Sequence, residues 1–520
     1  MEEAININNI YHISPDKNLV IFFKTITPMF TLINCMMQRK KTVLFYLLAV
    51  CYSLSFSQTK EQNTHPPKSS FITMPYVQIG NNPSPQTLQI LWHTDDINAD
   101  WLVEYKTDKE WMKSTTQTYT RVAVKGVEAH RVYHAGLQNL IPGKRFSYRL
   151  LKDGNVVFTS EAQASKSFNQ PYRFVVFGDI GAETTDQKKL ANIAFISKPD
   201  FVAVPGDIVY EYGLISEYRK KFWPIYNADK LTAVGAPIMR TVPFIAAVGN
   251  HDADTRDLDR LPEALAYYMF WDQPLNGPVG TEGGAFVPVL KGSEENKKAF
   301  LEAAGKTYPT MANYSFDYGN AHWTVIDSDT YVDWTDSTLT DWVKKDLAAS
   351  KNATWHFVMF HHPGFSSAKD HFEQQQMRLL SPVFEAGNVD VVFNGHVHNY
   401  QRSFPLKFIP EKKGTLLVGG KDNKTVRGRV VPGAWTLDKT FDGKTNTTAN
   451  GIIYIVTGAG GQELYNPEQE KDVDSWQKFT TKFISTVHSL TVADVKEKTL
   501  TIKQINAEGK EIDSFIITKK

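Results

Sequence analysis

Phe174-Val175-Val176-Phe177-Gly178-Asp179 is apolar for about the length of one short strand and then turns polar. Four later runs share the design: Phe201 to Asp207 (FVAVPGD), Phe244 to Asn250 (FIAAVGN), Phe357 to His362 (FVMFHH) and Asp390 to His398 (DVVFNGHVH). Apolar runs this short suit strands buried on both faces, and open α/β sheets carry their functional groups just past the strand C-termini. Mixed helical segments separate the runs, for example His371 to Gly387, so the pattern predicts an α/β domain. In such a domain Asp179, Asp207, Asn250, His361, His396 and His398 converge.

Upstream the periodicity changes. Leu88, Ile90 and Trp92 alternate with polar positions, as do Trp101, Val103 and Tyr105, then Phe146, Tyr148 and Leu150. Period two means half-buried strands. Turn signals at Asn81 to Pro85, Pro142-Gly143 and Asp153-Gly154 space them like a small β-sandwich over residues 71–168. Residues 169–520 are then the α/β domain, with a Gly-, Lys- and Thr-rich insertion from Pro405 to Gly451 and a tail of strands that completes a sheet.

The first 57 residues read as a leader. Gln38-Arg39-Lys40-Lys41, the apolar run Thr42 to Phe56 and small residues at Ser55 and Ser57 form a signal-peptide pattern, with translation expected to start at Met36 or Met37. The apolar run is shorter than the ~20 residues a membrane-spanning helix needs, and bulky Val50 disfavours a lipoprotein through Cys51. A polar linker, 58–70, follows. The expected location is periplasmic or extracellular, with no stable membrane span after cleavage. Both cysteines, Cys35 and Cys51, lie in the leader, so the mature chain forms no disulfide. With 57 Lys and Arg against 56 Asp and Glu, no global charge favours nucleic acid or an anionic surface. Any attraction to an anionic partner must be local.

Each strand-end motif alone is weak, since a Gly-Asp pair is more often a turn than a ligand. The ordered set GDIG, GDIVY, GNHD, a strand ending in His, and GHVH is far more specific. Aspartate, asparagine and imidazole suit first-row cations, and a shared carboxylate holds two ions about 3.5–4 Å apart. The glycines ahead of Asp179, Asp207, Asn250 and His396 are expected to relieve the sharp bends there. His322 and His356 precede strands and so fall at the wrong end, while Asp327 and Asp329 read as loop or supporting groups.

These motifs, with Asn313 to Asn320 and Gly395 to Ser403, resemble the purple acid phosphatases, a branch of the calcineurin-like metallophosphoesterases. The resemblance implies an N-terminal β-sandwich followed by a four-layer αββα metallophosphoesterase domain. Leu137 to Phe146 likewise resembles the closing strands of a fibronectin type III domain, with Phe146 in place of its corner tyrosine. By resemblance, Asp179, Tyr210 and His398 bind a first metal, Fe(III). Asn250, His361 and His396 bind a second, Fe(II), Zn(II) or Mn(II), and Asp207 bridges the two. Other metallophosphoesterases have Asp-x-His at the first motif; here Gly181 stands in place of that histidine, which favours the purple branch.

His251 is expected to contact phosphate and assist the leaving oxygen, with Asp252 placed to orient it. His371 is a second substrate histidine, although the family often has its histidine one position earlier, where this chain has Asp370. His362 is either a supporting group or simple packing. The partner the resemblance implies is a small phosphorylated substrate, and the implied activity is phosphate monoester hydrolysis by metal-bound hydroxide. The alternative is a phosphodiesterase or nucleotide hydrolase with the same metals, its choice of ester set by Ala253 to Pro309 and the insertion. A binding protein with a dead phosphatase domain would lack one or more ligands, and none is missing.

Overall fold

A computed structural model describes residues 70–419 and 424–520. The expected leader, both cysteines and all but the last residue of the expected linker lie outside the described residues.

The alternating segments form two four-stranded sheets. One has the order β1 (Thr73–Gln78), β2 (Leu88–Asp95), β6 (His130–Leu137), β5 (Thr116–Val122); the other β4 (Trp111–Lys113), β3 (Trp101–Lys106), β7 (Arg145–Lys152), β8 (Asn155–Gln163). Leu88, Ile90, Trp92, Trp101, Val103, Tyr105, Phe146, Tyr148 and Leu150 fill one core between them. Phe146 is buried and offers no hydroxyl; Tyr105, on the neighbouring strand, donates to Gln138 O at 2.9 Å and accepts from Gln138 N at 3.2 Å. The sandwich is not freestanding. Tyr76, Leu91 and Val132 pack into the same core as Leu190, Trp223 and Phe270, and the Tyr148 hydroxyl donates to Arg240 O at 3.0 Å.

Two further sheets stand face to face. The first has the order β11 (Phe244–Ala246), β10 (Phe201–Val204), β9 (Tyr172–Val176), β23 (Ser489–Lys496), β24 (Thr499–Asn506), β25 (Glu511–Thr518). The second has the order β12 (Tyr314–Tyr318), β13 (Ala321–Val325), β14 (Trp355–Met359), β15 (Val391–Asn394), β21 (Ile453–Thr457), β16 (Tyr400–Ser403), β22 (Thr480–Ile484). β9, β10 and β11 run parallel, as do β13, β14, β15 and β21. The apolar runs therefore point their polar ends the same way within each sheet.

Because these strands are buried on both faces, successive residues serve different layers. Phe174, Val176, Phe201, Trp323, Phe357 and Phe393 fill the space between the sheets. Val175, Val202 and Val204 face helix Thr185–Ile196, while Val358, Phe360 and Val392 face helix Ser337–Ala349. The result is four layers, αββα. Phe174 stacks on Phe201 at 5.3 Å and meets Trp323 edge-on at 5.1 Å, so Phe174→Ala would cost about 3–5 kcal/mol. Across the layers, Asp513 on β25 accepts from the Tyr400 hydroxyl at 2.8 Å and Arg402 Nε at 2.7 Å on β16, fastening one sheet to the other.

The insertion is two antiparallel pairs, β17 (Leu406–Pro410) with β20 (Gly433–Leu437) and β18 (Thr415–Gly419) with β19 (Thr425–Val430). One helical expectation is corrected. Between His371 and Gly387 only Gln376–Leu380 and Ser381–Ala386 are helical. Gln374 and Gln375 instead lie against β19, where Gln375 N donates to Arg429 O at 2.9 Å.

Candidate metal centre

Asp179 follows β9, Asp207 and Tyr210 follow β10, Asn250 follows β11, His361 follows β14, and His396 and His398 follow β15. The structure brings all seven together. One group, Asp207, His361 and His396, and a second, Asp179, Asp207 and His398, each place one candidate ligand atom per residue within 4.8 Å of the others. Asp207 belongs to both. Tyr210 joins the second group, its hydroxyl 3.0 Å from Asp179 Oδ1 and 3.1 Å from His398 Nε2. Asn250 joins the first, its Oδ1 3.1 Å from His361 Nε2 and 2.9 Å from His396 Nδ1.

The backbone that makes this convergence possible differs from expectation. Asp179, Asp207 and His396 themselves adopt left-handed φ of 61°, 52° and 67°, a conformation that is uncommon outside glycine and concentrates at functional sites. Of the four preceding glycines only Gly206 has positive φ. The others serve mainly to let chains approach. A Cβ on Gly249 would lie 2.2 Å from Asp207 Oδ1, and one on Gly395 would lie 2.7 Å from Asp179 Oδ2.

Hydrogen bonding on the far side of each histidine determines what its near side offers. His361 Nδ1 lies 2.8 Å from Pro205 O, and His398 Nδ1 lies 2.7 Å from Glu463 O. His396 Nε2 meets Gln374 Oε1. A ring nitrogen bonded to a carbonyl oxygen carries the hydrogen, so in a neutral imidazole the other nitrogen is a bare lone pair. Two such nitrogens, His361 Nε2 and His396 Nδ1, lie 3.2 Å apart and share Asn250 Oδ1.

Acceptors packed this closely repel one another unless a cation or a proton sits among them. The donor set therefore fits a pair of metal ions. Without a cation the proton goes to His361: burial works to lower its pKa, but the Asp207 carboxylate overrides that and holds it at about 10. Burial, then the charges of Asp179 and Asp207, push the Tyr210 phenol well above its ordinary range. Burial and the neighbouring imidazoles keep His396 neutral.

His251 is half-buried beside this cluster. Its Nδ1 lies 2.8 Å from Glu211 O, its ring 4.4 Å from that of Tyr210, and its Nε2 3.9 Å from Asp207 Oδ2. Asp252 does not orient it, contrary to the expectation. That carboxylate is buried and accepts from Gly249 N at 3.0 Å and Ile208 N at 3.2 Å, so it pins the two ligand loops, while the Glu211 carbonyl orients the imidazole. Burial, then repulsion from Asp207, raises the Asp252 pKa to about 7.

His371 lies on the rim, its ring 4.1 Å from that of His396. Asp370, one position earlier, is taken up by Asn466, whose Nδ2 donates to it at 2.8 Å. His362 is buried with its ring 4.1 Å from His396, and its Nδ1 lies 3.3 Å from Ser328 Oγ. Asp327 and Asp329 flank that serine without belonging to either ligand group. His322 and His356 occupy the N-terminal ends of β13 and β14, away from the strand ends that carry the ligands.

Besides the Pro205 and Glu211 carbonyls, three residues escaped the sequence reading. Gln374 and the Glu463 carbonyl back two histidines, and Tyr465 stacks on His398 with centroids 4.0 Å apart and planes at 15°. The signal for the last two was a sixth apolar run, Ile453 to Thr457, followed by Gly-Ala-Gly-Gly. A Cβ on Gly460 would lie 2.0 Å from Gly178 O, so this loop presses against the Asp179 turn.

Residues 172–400 match the family model of the calcineurin-like phosphoesterases. A probable inactive purple acid phosphatase 27 of Arabidopsis thaliana is 27% identical over 419 residues, covering 67% of this chain and 62% of that protein. A nucleotide pyrophosphatase/phosphodiesterase of Hordeum vulgare is 26% identical over 398 residues, covering 70% of this chain and 89% of that protein. The chain thus spans less than two thirds of the first relative. Among solved structures, the purple acid phosphatase PPD1 from yellow lupin (Lupinus luteus) seeds superposes with a TM-score of 0.57 at 18% identity, covering 85% of this chain and 74% of that one. That likeness supports the fold alone, a β-sandwich joined to an α/β domain.

Proposed function

We propose, from the premise that residues 172–400 are a calcineurin-like phosphoesterase domain, that the chain is an exported two-metal acid phosphatase acting on phosphate monoesters. The observation that carries the reading is the pair of ligand groups sharing Asp207. Asp179, Tyr210 and His398 would hold one ion, Asn250, His361 and His396 the other, and Asp207 both. A bound pair neutralises phosphate oxygens and lowers the pKa of water.

The chain's own groups do the rest. The Asp207 carboxylate draws positive charge into the cluster, a proton on His361 when no cation is bound. The Glu211 carbonyl takes the Nδ1 hydrogen of His251 and leaves Nε2 facing the cluster, where a proton on it is presented to a departing alcohol. Asn250 and His251 are half-buried and His371 is exposed, so substrate enters on that side. His371 is placed to meet the ester.

A tyrosine within hydrogen-bond distance of Asp179 and His398 favours the purple branch and a ferric first site. Metal analysis with a visible spectrum of the purified protein tests this. Two ions per chain and a tyrosinate-iron band that Tyr210→Phe abolishes are expected. A colourless two-zinc protein would sink the ferric assignment, and a protein without metal would sink the reading.

The barley relative's name favours a second reading, hydrolysis of nucleotide pyrophosphates or phosphodiesters by the same centre. Comparing rates on an aryl phosphate, a bis-aryl phosphodiester and a nucleoside pyrophosphate separates the two. A preference for either of the latter by tenfold or more would replace the monoester assignment.

A further inference from the structure

The three ligand-cluster histidines are not backed alike. His361 and His398 give their far Nδ1 hydrogens to main-chain carbonyls, of Pro205 and Glu463, whose positions are set by the strand-end loops. His396 gives its far Nε2 hydrogen to a side chain, the half-buried Gln374. An amide is ambiguous by itself, since either end can meet a ring nitrogen.

The insertion removes that ambiguity. Gln374 Nε2 lies 3.1 Å from Arg427 O on β19. A carbonyl accepts only, so the amide nitrogen must face β19 and the amide oxygen must face His396. The oxygen in turn requires a hydrogen on His396 Nε2 and leaves Nδ1 bare, and Nδ1 is the atom that faces Asn250 Oδ1 at 2.9 Å and His361 Nε2 at 3.2 Å.

The rest of β19 holds Gln374 in place. Gln374 and Arg429 form a bridge, Gln375 N donates to Arg429 O at 2.9 Å, and Val431 N donates to Gln375 Oε1 at 3.1 Å. Gly428, with φ of 151°, leaves the room the side chain needs: a Cβ there would lie 2.9 Å from Gln374 Cγ and 3.1 Å from Glu373 O.

We propose that Gln374 is the positioning residue of the second metal site, and that the β18–β19 hairpin of the insertion, by fixing its amide, sets the His396 tautomer and so the affinity for the second ion. The proposal deepens the two-metal reading and rests on it. The hairpin is then a control on metal content. Metal ligands depend on such outer partners by about 10–100-fold in affinity.

The test uses the full chain, wild type and the variants Gln374→Leu and Gln374→Glu. Histidine nitrogen NMR on the chelator-stripped protein reads the His396 tautomer directly. Chelator-competition titration with zinc reads the two affinities separately. Wild type should show hydrogen on Nε2 alone. Gln374→Leu should lose that preference and weaken the second ion by about 10–100-fold, leaving the first unchanged. Gln374→Glu, which keeps an acceptor, should restore the tautomer and recover most of the affinity.

Gly428→Ala pushes on the amide from the hairpin side and should move both readouts the same way by less; it replaces Gln374→Leu if that variant does not fold. The proposal is overturned if Gln374→Leu keeps hydrogen on Nε2 and binds both ions as wild type does. If the tautomer shifts as expected but wild type binds no second ion, the positioning stands and the two-metal reading fails.

Discussion

The two ends of the second sheet of the α/β domain use the same residue types to opposite effect. At the C-terminal end, His361 and His396 each commit one nitrogen to an oxygen and turn the other toward further acceptors. At the N-terminal end, His322 spends both nitrogens on carboxylates, Nδ1 on Asp317 at 2.7 Å and Nε2 on Asp346 at 3.0 Å. Asp346 is itself satisfied by Thr324 Oγ1 at 2.8 Å and Ser315 Oγ at 2.5 Å. The first network is open, leaving His396 Nδ1 against Asn250 Oδ1 even with a proton on His361; the second is closed by one proton. Presence of histidine and aspartate therefore does not make a site, whereas an excess of acceptors over hydrogens does.

The most severe way to break the open end is Asp207→Ala, which removes the only carboxylate common to both ligand groups. Both ions should be lost and turnover should fall by a factor on the order of 10³ or more, since metal activation is worth several kcal/mol. Elemental analysis beside a rate on aryl phosphate decides it. A variant that kept two ions and full activity would show that Asp207 is not shared.

His251→Ala should be milder and of a different kind. General acid assistance is worth about 10²–10⁴-fold, and no hydrogen bond links the His251 ring to a ligand side chain, so metal content should stay at wild-type level while turnover falls. The loss should shrink for substrates with good leaving groups, which need no proton. Equal loss for p-nitrophenyl and alkyl phosphates would point to phosphate binding instead.

Why the open end was legible in the sequence is a matter of pattern. Asp179, Asp207, Asn250, His361 and His396 each end an apolar run, so strand burial and strand direction bring them together without any knowledge of loops. The sandwich was legible for a similar reason, since Trp92, Trp101 and Tyr148 alternate into one core. What escaped were contacts with no local pattern. His361 leans on a carbonyl 156 residues earlier in the chain, and His398 on one 65 residues later. Main-chain acceptors leave no mark on a sequence. Asp252 misled because adjacency to His251 suggested contact, whereas at the start of the short helix Asn250–Ala253 it turns back onto Gly249 N instead. The glycines misled less: they were rightly tied to the bends, but most serve close approach while the ligands carry the positive φ.

The closed end gives the smallest effect and one with a definite sign. Burial lowers the His322 pKa, but the hydrogen bonds to Asp317 and Asp346 outweigh it and raise it from 6.5 to about 9. A histidine whose folded pKa lies above its unfolded value contributes stability that is complete below about pH 6.5 and disappears as pH rises through about 9. Asp317 is mostly exposed, its side chain 78% accessible, so water screens its share and the contribution is on the order of 2 kcal/mol. His322→Gln should thus unfold at lower urea than wild type near pH 6, and the two should converge near pH 10. Metal should shift both proteins equally at every pH, because the candidate ligand groups lie at the other end of the sheet. A His322→Gln deficit that grew with pH, or that metal removed, would mean that the two ends are not independent and that the N-terminal network is part of the site.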